Sequence, residues 1–178
     1  MELKDIESRK ELVDYFAQRK FKKGAEIGVA GGLFSHYMLK TIPGLNLLSI
    51  DSWPDDAGYR RDTKKVRESA IQKLSEYPKC KIIEQTSMRA VCDVPEGSLD
   101  FVYIDGEHSF DAVLCDLVEW SKRVRSGGVV SGHDYVKRYR GLKRAVDVYT
   151  DFHKYVLYLT EPQRKGADRY ISYFFVKK

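Results

Sequence analysis

Five short runs rich in apolar and β-branched residues recur along the chain, with segments of helical spacing between them. The runs cover residues 25–29, 45–50, 81–85, 99–104 and 128–131, and each reads as a buried strand. Helical spacing is found over 33–41, 59–77 and 110–124, with a shorter turn around 87–92. The alternation predicts an α/β fold: a mostly parallel, Rossmann-like sheet with helices on both faces. Residues 1–20 read as a lead-in amphipathic helix, because Ile6, Leu12, Val13 and Phe16 share a face between charges. The tail changes character. A helix over 142–152 is followed by strand-like stretches at 155–160 and 170–177, which predict a closing β-hairpin within 153–178. The 178 residues contain no repeat, low-complexity tract or flexible linker, so one domain over 1–178 with one site is expected. The irregular stretch 51–59 is a candidate lid.

Bulk properties exclude several classes. Hydrophobic residues at 43% and charged residues at 32% exclude a disordered chain. The apolar runs fall far short of the about 20 residues that cross a bilayer. The first ten residues alternate acids and bases rather than forming a signal sequence, so a cytoplasmic protein with no membrane partner is expected. Cys80, Cys92 and Cys115 show no paired spacing and read as free thiols. A net charge of +5 raises the question of nucleic acid. The basic run Arg60, Arg61, Lys64, Lys65 and Arg67 is broken by Asp62 and Glu68, which suits a solvated helix face or a basic rim for an anionic substrate.

Two glycine-containing strand ends carry the chemistry. Residues 26–35 place a strand, a glycine turn (Gly28, Val29, Ala30, Gly31) and a helix start bearing Ser35 in succession, so a ligand can approach the backbone closely. The dinucleotide fingerprint needs glycines where Ala30 and Leu33 stand, which weakens a nicotinamide reading. Glu26, two residues before the first glycine, suits an ammonium group better than a pyrophosphate, which fits the methionine end of S-adenosylmethionine. Asp51 closes the next strand about 20 residues on, where nucleotide-binding domains hold ribose. Ser52 and Trp53 follow it, the indole being a candidate adenine platform.

The second cluster is the stronger one. The strand 99–104 runs into Asp105, Glu107 and His108, and the next strand runs into His133 and Asp134. Ligands in open α/β sheets bind beyond the carboxyl ends of strands, so these groups are expected in one crevice with Gly28 and Asp51. Converging carboxylates favour a divalent cation, which acidifies a substrate hydroxyl. His108 is the candidate base.

At these residues the chain resembles the class I S-adenosylmethionine-dependent methyltransferases, and within them the metal-dependent O-methyltransferase group with macrocin-type and cephalosporin-hydroxylase-like members. The resemblance rests on the E-x-G-x-x-x-G turn, Asp51, Ser87, the I-D-G-x-H block at 104–108, D-L-x-x-W at 116–120 and G-G-x-x-x-G-H-D-Y at 127–135. It implies a seven-stranded sheet with an antiparallel last strand. It assigns Glu26, Gly28, Gly31 and Asp51 to the cofactor, with Ser87 near adenine. It implies magnesium on acids matching Asp105 and Asp134, with His108 as base. His133 stands where better-understood members carry a carboxylate, and imidazole suits manganese or zinc better than magnesium.

The expected function is methyl transfer from S-adenosylmethionine to a hydroxyl of a small molecule, sugar-like or phenolic, with cation help and a homodimer as candidate assembly. Two competitors stand beside it. One is a non-catalytic module that binds S-adenosylmethionine or another nucleotide. The other is a nucleic-acid methyltransferase, disfavoured because no Asn-Pro-Pro-Tyr or Asp-Pro-Pro-Tyr motif for an extruded base appears.

Overall fold

The computed structural model describes residues 2–54, 62–162 and 170–178. Seven strands form one sheet: β1 (Lys23–Ile27), β2 (Asn46–Asp51), β3 (Cys80–Glu84), β4 (Leu99–Ile104), β5 (Val124–Gly132), β6 (Tyr158–Leu159) and β7 (Tyr173–Val176). Their spatial order is β3-β2-β1-β4-β5-β7-β6. The first five are parallel, and β7 runs antiparallel to both β5 and β6. The connections leave β1 toward β2 on one side, while β4 pairs on the other. The sheet therefore has its topological switch point between β1 and β4, the position at which open α/β sheets open a crevice for ligands.

Side-chain alternation along β4 shows how both faces are covered. Leu99, Val102 and Ile104 pack with Leu117, Trp120, Leu142 and Val146 of α5 (Phe110–Arg123) and α6 (Arg140–Phe152). Phe101 and Tyr103 face the opposite layer, with Leu12 and Phe16 of α1 (Arg9–Gln18), Met38 of α2 (Leu33–Thr41) and Leu74 of α3 (Thr63–Leu74). A strand with two apolar faces leaves only its ends for polar chemistry. The lead-in helix begins at a capping box, in which Ser8 Oγ accepts from the Glu11 amide and Glu11 accepts from the Ser8 amide.

The expected elements are all present, with shifted bounds. The strand expected at 128–131 starts at Val124, directly after α5, because its pairing with β4 shifts register between Leu99 and Phe101. The glycine pair at 127 and 128 marks that irregularity rather than a strand boundary. In the closing hairpin β6 is only two residues long, and its connection includes 163–169, outside the described residues. The candidate lid likewise lies partly outside them, at 55–59, as do Arg60 and Arg61. The three cysteines are free thiols. Among the described residues no helix is long and apolar enough to cross a membrane.

The loops after β1 and β4 are knitted at the switch point. The Asp105 amide donates to the Ile27 carbonyl at 2.7 Å, and the Gly28 amide donates to the Ile50 carbonyl at 2.8 Å. Gly28 has φ +89°, and a Cβ there would overlap the Asp105 carbonyl. Substituting Gly28→Ala is expected to remove more than about 2 kcal/mol of stability, because both the backbone region and the contact exclude a side chain. Urea unfolding checks this, and an unchanged midpoint would contradict the close approach of the two loops.

Candidate functional site

Four strand ends meet at this rim. After β1, the amides of Val29 and Ala30 donate to Asp51 Oδ2 at 2.9 and 2.8 Å, so the acid closing β2 ties down the glycine turn. Asp51 Oδ1 accepts from the Trp53 amide at 2.9 Å and so retains acceptor capacity for a further donor. Trp53 is buried, with its indole N–H donating to the Ala30 carbonyl at 3.0 Å. It covers the turn from outside, while Ser52 beside it is exposed. Ala30, Trp53 and Asp134 all have positive φ without being glycine. Three such residues at the carboxyl ends of β1, β2 and β5 mark a rim whose backbone is held in unfavourable conformations.

Glu26 lies beneath the turn, 1% exposed, on the face of β1 toward α2. Its carboxyl accepts from Ser35 Oγ, and Ser35 Oγ lies 2.8 Å from Ser49 Oγ on β2. Burial pushes its pKa up to about 8, only partly offset by the Ser35 hydrogen bond. Arg9, at the start of α1, stacks its guanidinium 4.8 Å from the Phe34 ring centroid, and its charge lowers the pKa of both Glu26 and Asp105. No motif points to Arg9: it is one charge among many on an amphipathic helix, and only packing brings it to the site.

Beyond β4 and β5, Asp105, His108 and Asp134 each offer a ligand atom, and these atoms lie within 4.8 Å of one another. His108 Nε2 is 3.0 Å from Asp134 Oδ2, an ion pair in which no hydrogen bond is aligned. His133 Nδ1 stands 3.2 Å from Asp134 Oδ1 and 3.9 Å from Asp105 Oδ1. The two carboxylates therefore converge together with two imidazoles. Burial raises the Asp105 pKa to about 6. Burial also acts on Asp134, but its contacts with His108 and His133 prevail and hold it well below the usual carboxylate range. Contact with Asp134 raises the His108 pKa.

Ser87 sits apart from this group. At the start of α4 (Ser87–Ala90), its hydroxyl donates to Asp116 and accepts from the Trp120 indole at 2.7 Å. The D-L-x-x-W stretch thus anchors Ser87 to α5. Tyr139 is a neighbour that no sequence signal marked: its ring centroid lies 4.2 Å from that of His108.

A family model described as a methyltransferase domain matches residues 25–135. The chain belongs to this methyltransferase-domain family. No curated protein matches it in sequence. Among solved structures it is similar to the O-methyltransferase TomG of Streptomyces achromogenes, involved in tomaymycin synthesis and solved with S-adenosylmethionine. That likeness has 18% identity and TM-score 0.74, over 96% of this chain and 80% of that one. An O-methyltransferase from Bacillus cereus, in complex with S-adenosylhomocysteine, is similar at 15% identity and TM-score 0.69, over 95% of this chain and 80% of that one. A tRNA (m1A58) methyltransferase from Aquifex aeolicus gives 14% identity and TM-score 0.65, over 100% and 76% of the two chains. At these identities the likeness establishes the fold.

The state of Glu26 is testable without any ligand. With its folded pKa raised to about 8, the native chain keeps a proton that the unfolded chain releases above about pH 4.3. Stability at this group is therefore present at low pH and lost as pH rises toward 8. Replacing Glu26→Gln is expected to stabilise the ligand-free protein at pH 8 by on the order of a few kcal/mol, with little gain at pH 4. Urea unfolding at both pH values measures it, and a variant less stable at pH 8 would refute the assignment.

Proposed function

We propose that the chain is an S-adenosylmethionine-dependent O-methyltransferase that methylates a hydroxyl of a small molecule, sugar-like or phenolic, with a divalent cation at the site. The observation that carries this reading is the meeting of a buried carboxyl, a glycine turn and an Asp–His cluster at one switch point. Family membership supports methyl transfer, and neighbours solved with S-adenosylmethionine or S-adenosylhomocysteine support the cofactor.

S-adenosylmethionine supplies an electrophilic methyl on a sulfonium sulfur. Glu26, oriented by Ser35, would receive the ammonium group, and Arg9 is the complementary charge for the carboxylate. Gly28, Val29, Ala30 and Gly31 present backbone, Asp51 and Ser52 would face the ribose, and Trp53 and Ser87, whose polar atoms are committed to Ala30 and to Asp116 and Trp120, would border the adenine by packing. Because Glu26 is protonated in the empty protein at neutral pH, taking up an ammonium group releases a proton.

The residues present fit a cation. Asp134 Oδ1 is buried without a hydrogen-bond partner among the described residues, beside a second carboxylate at Asp105 and with His133 Nδ1 3.2 and 3.9 Å from the two. Asp105, His133 and Asp134 would hold it, and the imidazole favours manganese over magnesium. A cation here supplies Lewis acidity to the acceptor hydroxyl. His108 would accept the hydroxyl proton, since contact with Asp134, 3.0 Å away, raises its proton affinity. The cluster also holds the acceptor oxygen still, and positioning of that kind supplies much of a transfer rate.

The test is a screen of hydroxylated acceptors for S-adenosylhomocysteine formation, run with magnesium, manganese and chelator. Asp105→Asn and Asp134→Asn are expected to lower cation-stimulated turnover at least about 100-fold while calorimetric cofactor affinity changes little. His133→Ala should weaken cation activation about 10- to 100-fold. His108→Ala should lower kcat about 100-fold or more without shifting cation affinity. The reverse pattern would exchange the two histidines. Cofactor binding with no product from any acceptor would reassign the chain as a binding module, and equal turnover in chelator would remove the cation.

A further inference from the structure

Beside the acidic centre, the segment from Lys137 to the first turns of α6 forms an open groove of about 760 Å³. Phe110, Lys137, Arg140, Lys143 and Arg144 line it, with Asp147 as its one acid. Lys143 is committed to Asp147 at 2.7 Å and to the Tyr135 hydroxyl at 2.9 Å. Lys137, Arg140 and Arg144 are exposed, and no carboxylate among the described residues pairs with them. A solvated helix face would interleave acids with such cations. Here Arg140 and Arg144 are a like-charge pair four residues apart, which destabilises a helix. The first turn of α6 holds no acid and its N-cap makes no side-chain hydrogen bond, so the helix dipole adds to the positive field instead of being offset. This concentration of cations opposes local folding and contributes nothing to the core.

The groove adjoins the proposed reaction centre. A Cβ on Gly141 would sit 2.8 Å from the Phe110 amide nitrogen and 3.2 Å from the His108 carbonyl oxygen, so α6 presses its backbone against the segment carrying the proposed base. Tyr139, packed on His108, links the two. The half-buried ring of Phe110 offers an apolar face for the organic part of a ligand. Guanidinium forks suit phosphate oxygens, and two arginines with a lysine match the charge of a pyrophosphate.

From this arrangement we infer that the groove is an anion subsite and that the methyl acceptor carries a phosphate or pyrophosphate group. The inference rests on the methyltransferase reading for the word acceptor, while the groove itself is testable alone. The phosphate lies against Arg140, Arg144 and Lys137, and the hydroxyl to be methylated extends toward His108 and Asp105.

Inorganic pyrophosphate is the probe, titrated by calorimetry at 150 mM salt into three proteins: the wild type, Arg140→Gln/Arg144→Gln, and Lys64→Gln/Lys65→Gln. The last removes the same number of charges from the exposed start of α3. Pyrophosphate is expected to bind the wild type and the α3 variant alike, and the groove variant at least about tenfold more weakly. No binding to the wild type, or equal losses in the two variants, overturns the subsite. A 20-nucleotide RNA that displaces pyrophosphate and loses its own affinity in the groove variant overturns the small-acceptor assignment in favour of a polymer backbone. S-adenosylmethionine titrated into the same proteins reports separately. Its failure to bind removes the methyltransferase reading and leaves the pyrophosphate result standing, whereas intact cofactor binding without pyrophosphate binding removes only the subsite.

Discussion

The loops leaving β1 and β4 approach so closely that only a residue without a side chain fits between them, and the site is arranged around that contact. Gly28 in left-handed conformation lets its turn lie against the Asp105 carbonyl while the Asp105 amide reaches back to Ile27. Asp51 reinforces the junction by accepting from Val29 and Ala30. A switch point in a parallel sheet would otherwise open as a wide gap, since its flanking connections diverge. Here the gap is narrowed by backbone, which brings groups from separate strands within reach of one another.

Around that junction, three acids stand in three different states. Glu26 is kept neutral by burial, Asp105 is intermediate, and Asp134 is kept ionised by two imidazoles. Groups whose environments drive their pKa values apart are suited to divided roles in catalysis. Keeping Glu26 and Asp105 buried opposes folding, and the strain at Ala30, Trp53 and Asp134 adds to that. The two-sided core of the sheet, with Phe101, Tyr103, Trp120 and Tyr173 fully enclosed, is the reservoir that offsets both.

Much of this was legible in the residues because buried parallel strands leave a strong signal. The runs at 99–104 and 45–50 are apolar on both faces, and only their ends change to acids, so Asp51 and Asp105 announce themselves. Five strands and a closing hairpin followed from the same reading, while the seven-stranded sheet with an antiparallel last strand came from the family resemblance. Side-chain direction was less legible. Trp53 was a candidate adenine platform, and its direction was not readable: the residue is buried and its indole bonds the Ala30 carbonyl. The resemblance put Ser87 near adenine, but nothing in the sequence showed that Asp116 and Trp120, 29 and 33 positions away, occupy its hydroxyl. Arg9 left no trace, because its distance from Glu26 in sequence carries no pattern and only the packing of α1 on α2 brings it near. The start of β5 was misplaced because a glycine pair inside an irregular strand resembles a boundary.

The position of α6 couples the acidic centre to the basic groove. Leu142, Ala145 and Val146 of α6 share a core with Leu117 and Trp120 of α5, so the two helices hold each other. The segment carrying His108 enters α5 at Ser109, whose hydroxyl accepts from the Ala112 amide and fixes the entry angle. Gly141 then allows α6 to close directly onto that entry. The groove cations and His108 are therefore mounted on one rigid wedge, and the spacing between them cannot vary much without loss of the shared core. On the proposed reading, an acceptor bound across both would be selected by the reach between its anionic group and its hydroxyl, a criterion set by helix packing rather than by any loop.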